Sequence, residues 1–230
     1  MLYLFTYFTH LLFSIFVYKI LDLINYKPLR QNFYNRDTVT VARELLGKII
    51  LKFEKGKILS GIITETEAYT GNNDPASHSY KGMTKRNSIM FEDGGKAYVY
   101  FVYGNHFCFN IVTETKGTGS AVLIRAVEPI EGIDVMQKRR PKAKDVYNLT
   151  NGPGKFCSAF GIDKKFNGTD LTNGKIILTG GKKNFDIMVS GRIGITNDND
   201  YSYRFYIKNN KFVTKHKNNK KSILYKKGMK

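Results

Sequence analysis

Residues 48–69 read KIILKFEKGKILSGIITETEAY. Two runs suited to strands, Lys48 to Phe53 and Ile58 to Tyr69, flank Glu54-Lys55-Gly56-Lys57, where the glycine permits a tight reversal, so the stretch predicts a β-hairpin. The second run carries acids in an otherwise strand-like sequence. A period of two places Glu65, Glu67 and Tyr69 on one face. For an isolated Glu-x-Glu the commoner meaning is a solvent-facing stripe, so these residues need company before they mean chemistry.

Outward from this hairpin the signals stay those of a mixed domain. On the N-terminal side Asp37 can cap a helix with apolar positions Val41, Ala42, Leu45 and Leu46, and Gly47 can end it. On the C-terminal side the aromatic run Ala97 to Tyr103 and the run Phe107 to Thr113 enclose Gly104-Asn105-His106, a second hairpin. Ala121 to Val127 reads as a strand that stops at Glu128-Pro129, with a helix expected from Ile130, Ile133 and Met136 or Gln137. Asn151-Gly152-Pro153-Gly154 breaks the chain, Lys155 to Phe160 reads helical, and Lys175 to Leu178, Phe185 to Val189 and Tyr203 to Ile207 read as short strands. No repeat or linker interrupts residues 32 to 207, which form one domain in this reading.

The formal charge of +18 and pI near 9.7 favour a polyanionic partner, nucleic acid or an acidic membrane surface. Much of that charge is local: residues 208–230 hold nine lysines and no acid, and read as a solvated tail able to touch phosphates or simply to solubilise. Residues 1–18, within an apolar extension spanning 1–31, contain no charged residue. Thr6, Thr9, His10 and Ser14 dilute that stretch, so a membrane anchor is the minority reading beside a packed or accessory helix. Cys108 and Cys157 sit in apolar surroundings and predict no disulfide. The four histidines show no paired ligand spacing, and neither a metal nor a cofactor is expected.

The company Glu67 needs follows in order. Glu65-Thr-Glu-Ala-Tyr69 precedes Ala76-Ser-His-Ser79 and Thr84-Lys-Arg-Asn87. Then come Tyr98-Val-Tyr-Phe-Val-Tyr-Gly104, Phe107-Cys-Phe-Asn110 and Val122-Leu-Ile-Arg-Ala-Val-Glu-Pro129. Gly152-Pro-Gly-Lys155 and Arg192-Ile-Gly-Ile195 lie further on. In these motifs and their order the chain, from about Phe33 to about Ile207, resembles the 3-methyladenine (alkyladenine) DNA glycosylase family.

The resemblance implies a monofunctional DNA N-glycosylase of base excision repair, which flips alkylated and deaminated purines out of double-stranded DNA and hydrolyses the N-glycosidic bond. It implies Glu67 as the base that activates water, the nucleophile. Tyr69, His78, Tyr100 and Asn110 would form the base pocket with Arg125, and Tyr103 would intercalate at the hairpin tip. Asn110 would exclude guanine. The fold implied is α+β: a single mixed domain with a largely antiparallel, curved sheet, flanking helices and a protruding hairpin. A monomer is expected, cytoplasmic and nucleoid-associated if bacterial. The competing function is a non-catalytic binder of distorted DNA.

Several points stay open at this level. Glu65 is a local rival to Glu67. Tyr98 reads as a core tyrosine. Arg125, inside an apolar run, needs a carboxylate or phosphate partner, with Glu128 one candidate. Gly152-Pro-Gly-Lys155 resembles an anion-binding helix start but fits a tight turn equally well. Where the family often carries Pro-Trp-Arg-Phe, this chain has Ser202-Tyr-Arg-Phe205 and no tryptophan.

Overall fold

The computed structural model describes residues 26–71, 73–102, 104, 106–182, 184–195, 202–226 and 228. Residues 1–18, where the membrane reading fell, and Tyr103, expected as the wedge, lie outside the described residues. No helix among the described residues is long and apolar enough to cross a membrane.

Four helices and nine strands make up the described fold. The helices are α1 (Gln31–Tyr34), α2 (Thr38–Leu45), α3 (Ile133–Arg139) and α4 (Pro153–Phe160). The strands are β1 (Ile49–Glu54), β2 (Lys57–Tyr69), β3 (Ala97–Val102), β4 (His106–Thr113), β5 (Ser120–Glu131), β6 (Ile176–Thr179), β7 (Ile187–Ser190), β8 (Arg204–Ile207) and β9 (Ile223–Leu224). Every pairing is antiparallel, in the order β3-β4-β5-β2-β8-β7-β9, with β1 joining β2 to β6. The fold is thus α+β around one open, curved sheet.

The first hairpin turns on two residues. Lys55 and Gly56 both have positive φ, 47° and 74°, as a tight two-residue hairpin requires. Asp37 caps α2 as expected, its carboxylate accepting from the Thr40 N–H at 2.8 Å.

Strand β2 organises the sheet. Along one edge it pairs with β5 for nearly its whole length; along the other it meets β1 first and then, from Glu65 to Glu67, β8. Its register against β5 slips between Ile63 and Glu65 and again between Glu65 and Thr66. The bulge changes which face the odd residues take. Leu59 and Ile63 belong to the main core, whereas beyond the bulge Ala68 is the core residue and Thr66 Oγ1 donates to the Ala42 carbonyl of α2 at 2.8 Å. Glu65, Glu67 and Tyr69 therefore share the face turned away from α2, re-aimed by the kind of irregularity that strands use beside sites.

Two expectations about chain direction need correction. Glu128-Pro129 does not end its strand: β5 runs on to Glu131, and Pro129 sits opposite Gly61 at a third register slip, where a missing N–H costs least. The helix begins only after Gly132, which takes φ 74°.

The lysine-rich segment, read as a solvated tail, is docked over the part described. Phe212 and Val213 are buried, β9 pairs with β7, and the Tyr206 hydroxyl donates to Ser222 Oγ at 2.6 Å. The sequence hid this because the lysines themselves stay outside: Lys208, Lys211, Lys215, Lys217, Lys220, Lys221 and Lys226 are all exposed.

Candidate functional site

Glu67 is completely buried, yet three donors reach it. The Tyr69 hydroxyl donates to its Oε2 at 2.9 Å, Arg125 Nη1 to the same oxygen at 3.1 Å, and the Ile193 N–H to Oε1 at 2.7 Å. A carboxylate offers about four lone-pair sites, so this set leaves room for roughly one more donor, such as a water. Burial and the neighbouring Glu67 raise the Tyr69 phenol well above its ordinary range, so it stays a donor at all working pH values.

Glu65 has a different fate. Arg125 Nε and Arg204 Nε donate to its Oε1 at 2.9 and 2.7 Å, and the Thr214 N–H donates to Oε2 at 2.8 Å. Burial works against its charge, but Arg125, Arg204 and Thr214 outweigh it and hold the carboxyl below its ordinary range. Engaged on both oxygens, Glu65 anchors Arg125. Neither acid lines the cavity itself, but Glu67 is bonded to the wall residue Tyr69 and Glu65 is not.

Arg125 thus finds two carboxylates, Glu65 and Glu67. Burial opposes its charge, and those two acids more than restore it. Glu128, named as a candidate partner, instead accepts from Asn210 Nδ2 at 2.8 Å. Arg125 also stands behind Glu67 and is absent from the cavity wall.

In front of this network lies a cavity of about 120 Å³ lined by Tyr69, His78, Tyr98, Tyr100 and Asn110, with Ala76, Met90, Ala121 and Ile195 completing the wall. Tyr98 and Tyr100 project from the same face of β3, their rings 5.2 Å apart between centroids. His78 stands at the exposed rim, 4.5 Å from the Tyr100 ring, with Nδ1 3.0 Å from the Tyr98 hydroxyl. Loss of water around the imidazole, with Arg86 nearby, lowers its pKa from 6.5 and keeps it neutral at pH 7. Burial pushes the Tyr98 phenol up to about 12. Asn110, opposite Tyr98 in the β3–β4 register, donates to the Tyr98 carbonyl at 3.1 Å.

Sequence reasoning placed Tyr69, His78, Tyr100, Asn110 and Arg125 together; the cavity wall contains the first four and not Arg125. It assigned Tyr98 to the core, whereas the ring is buried and also forms part of the wall. The period-two pairing of Tyr98 with Tyr100 was the available signal. Reasoning from sequence also missed the strut that holds the rim. Asp74 forms a two-pronged ion pair with Arg192 at 2.6 and 2.9 Å, both residues buried. Asp74 further accepts from the N–H groups of Thr70 and Ala76, while the Arg192 guanidinium lies 4.6 Å from the Tyr69 ring centre. This strut fixes the loop carrying His78 against the strand carrying Glu67. Arg192 was visible as part of a motif, but nothing marked Asp74 as its partner.

Gly152-Pro-Gly-Lys155 opens α4, with Pro153 in the first turn and Lys155 Nζ donating to Asn151 Oδ1 at 2.7 Å. A Cβ on Gly154 would come within 2.9 Å of the His106 side chain, so the glycine lets the turn end of the β3–β4 hairpin rest on the helix. That packing accounts for the motif as a turn. Cys108 and Cys157 are both buried free thiols. Among the described residues no three His, Cys, Asp or Glu side chains converge as a metal site would need.

Comparison with known proteins adds an independent line. Residues 32–211 match the family described as Methylpurine-DNA glycosylase (MPG). A protein of Carboxydothermus hydrogenoformans is 50% identical over 190 residues, covering 81% of this chain and 98% of that one. One from Clostridium novyi is 49% identical over 201 residues, covering 82% and 99%, and one from Methanoculleus marisnigri is 45% identical over 188 residues, covering 80% and 96%. All three carry the name "Putative 3-methyladenine DNA glycosylase".

Proposed function

Because the chain belongs to the methylpurine-DNA glycosylase family, a group of DNA N-glycosylases, we propose that it excises 3-methyladenine and related alkylated purines, hypoxanthine among the deaminated ones, with Glu67 as the base that activates water. The observation that carries this reading is a buried carboxylate with acceptor capacity to spare behind an aromatic cavity open at one side.

A base cannot be attacked at its sugar carbon inside the stack, so the damaged nucleotide is rotated out for about a few kcal/mol. Tyr103, at the tip of the β3–β4 hairpin by sequence, fills the gap as a wedge from the minor groove. An alkylated purine that carries positive charge gains about 0.5–2 kcal/mol against electron-rich rings, here those of Tyr69, Tyr98 and Tyr100. The neutral imidazole of His78 avoids repelling it. Asn110 faces the purine's 2-position, where guanine's exocyclic amine would clash.

In the reaction the C1′–N bond breaks with its electron pair going to the base, so a cationic methylpurine departs neutral, while hypoxanthine departs as an anion that takes its proton from solvent. Water adds its oxygen to C1′ and gives its proton to Glu67, whose negative charge also stabilises the oxocarbenium-like sugar. Among the described residues no lysine lines the cavity as a covalent nucleophile, so the product is an abasic site in an intact strand.

The test is to incubate the protein with a duplex carrying a methylated adenine, then measure free base and strand integrity before and after alkali. Free base and an alkali-labile but otherwise intact strand are expected. Tight binding to an abasic duplex with no base released would make the protein a non-catalytic binder of distorted DNA.

A further inference from the structure

We infer that the docked C-terminal segment, through Lys217, Lys220 and Lys221, is a fixed grip for the DNA backbone beside the site, an inference that rests on the glycosylase reading above. The argument begins with how the segment is held. His216 Nδ1 accepts from the Asn218 N–H at 3.2 Å and starts a short 3-10 turn over Lys217–Lys221. Asn218 Nδ2 donates to the Gly191 and Arg192 carbonyls, both at 3.1 Å. Asn219 Oδ1 accepts from Arg204 Nη1 at 2.9 Å while its Nδ2 donates to the Thr214 carbonyl at 3.1 Å. The two asparagines in the turn therefore face inward and bind it to the residues that serve Glu65 and Glu67.

The lysines in the same turn do the opposite. Lys217, Lys220 and Lys221 are exposed, and among the described residues none of their ammonium groups meets a carboxylate. Three cations held close together on a pinned turn make a fixed positive patch suited to a polyanion. The location says which polyanion. Arg192, gripped by Asn218, is followed by Ile193, which donates to Glu67, and by Ile195, which lines the cavity. A duplex with one nucleotide in that cavity carries its flanking phosphates past this turn. The contacts are to phosphate, so they add affinity without reading sequence. This segment extends beyond residue 211, where the family match ends.

The experiment measures binding of the full chain to a duplex with a stable abasic-site analogue across a salt series. The variant is Lys217→Gln/Lys220→Gln/Lys221→Gln. A control, Lys55→Gln/Lys57→Gln/Lys138→Gln, removes the same charge on α3 and at the β1–β2 turn, the latter about 40 Å along β2 from Tyr69. Three phosphate contacts predict a log–log salt slope shallower by about 2.7 and low-salt binding weaker by more than about tenfold for the first variant only. An equal slope change in both variants, or none in either, overturns the grip. Melting temperatures confirm that both variants fold. Base release by the unsubstituted protein, assayed alongside, reports on the glycosylase reading separately, since its absence would leave the slopes unaffected.

Discussion

The Tyr69 hydroxyl donates to Glu67 Oε2 at 2.9 Å, so a ring in the cavity wall is tied to the carboxylate behind it. Both side chains leave β2 on the same face two residues apart, and the bulge at Glu65 decides that this face is the cavity side. Tyr69→Phe keeps the ring and removes the donor. A hydrogen bond to a charged group contributes about 1.5–3 kcal/mol, so single-turnover base release should fall roughly 10- to 100-fold with KM little changed. A rate within twofold of the unsubstituted protein would mean the bond does not position Glu67.

The Asp74–Arg192 pair makes a stability prediction. Asp74→Asn takes the two-pronged carboxylate away from a buried guanidinium, and breaking a buried pair typically costs about 3–5 kcal/mol. In a domain of this size each kcal/mol moves the melting temperature by about 2–4 °C, so a drop of at least about 6 °C is expected by thermal denaturation. A drop of a degree or less would show that the strut carries no load.

His78 supplies the pH prediction. Its pKa lies below 6.5 in the fold, through loss of water around the ring and then Arg86. The fold therefore favours the neutral ring: any associated stability is fully present above pH 6.5 and declines as pH falls below it. An NMR titration of the imidazole should give a midpoint under 6.5, and Arg86→Gln should move it upward. A midpoint at or above 6.5 would contradict the proposed electrostatics of the rim.

Gly71 is where the β2 strand gives way to the His78 loop. A Cβ there would stand 2.4 Å from the Thr118 carbonyl oxygen, a backbone atom that cannot swing aside, and the Gly71 N–H is held by Ser120 Oγ at 3.0 Å. Gly71→Ala should cost about 1–3 kcal/mol by chemical denaturation, and should weaken base release by displacing the loop that Asp74 anchors. Unchanged stability would show that the approach is looser than the structure has it.

Much of this site was legible in the sequence, and the exceptions have physical causes. Alternation along β2 put Glu65, Glu67 and Tyr69 on one face, because a strand's period is fixed by its pleat. Which face it was depended on a bulge, and neither Ile63-Thr64-Glu65 nor its neighbours contain a residue that announces one. The separation of Glu65 from Glu67 came from Arg204 and Thr214, more than a hundred residues distant, so no local pattern could supply it. Tyr98 was read as a core residue and is one, yet a tyrosine can be buried and still present an edge to a cavity. Composition alone made residues 208–230 a tail, whereas Phe212, Val213 and the two asparagines of the 3-10 turn fasten the segment and leave its lysines to solvent.

The measurement that bears most directly on Glu67 is single-turnover release of methylated adenine by Glu67→Gln beside the unsubstituted protein. Gln keeps the volume and one carbonyl oxygen but cannot take a proton from water. The account predicts a loss of about 100-fold or more, with binding to an abasic duplex retained. Undiminished release would contradict it, and would remove Glu67 from the chemistry.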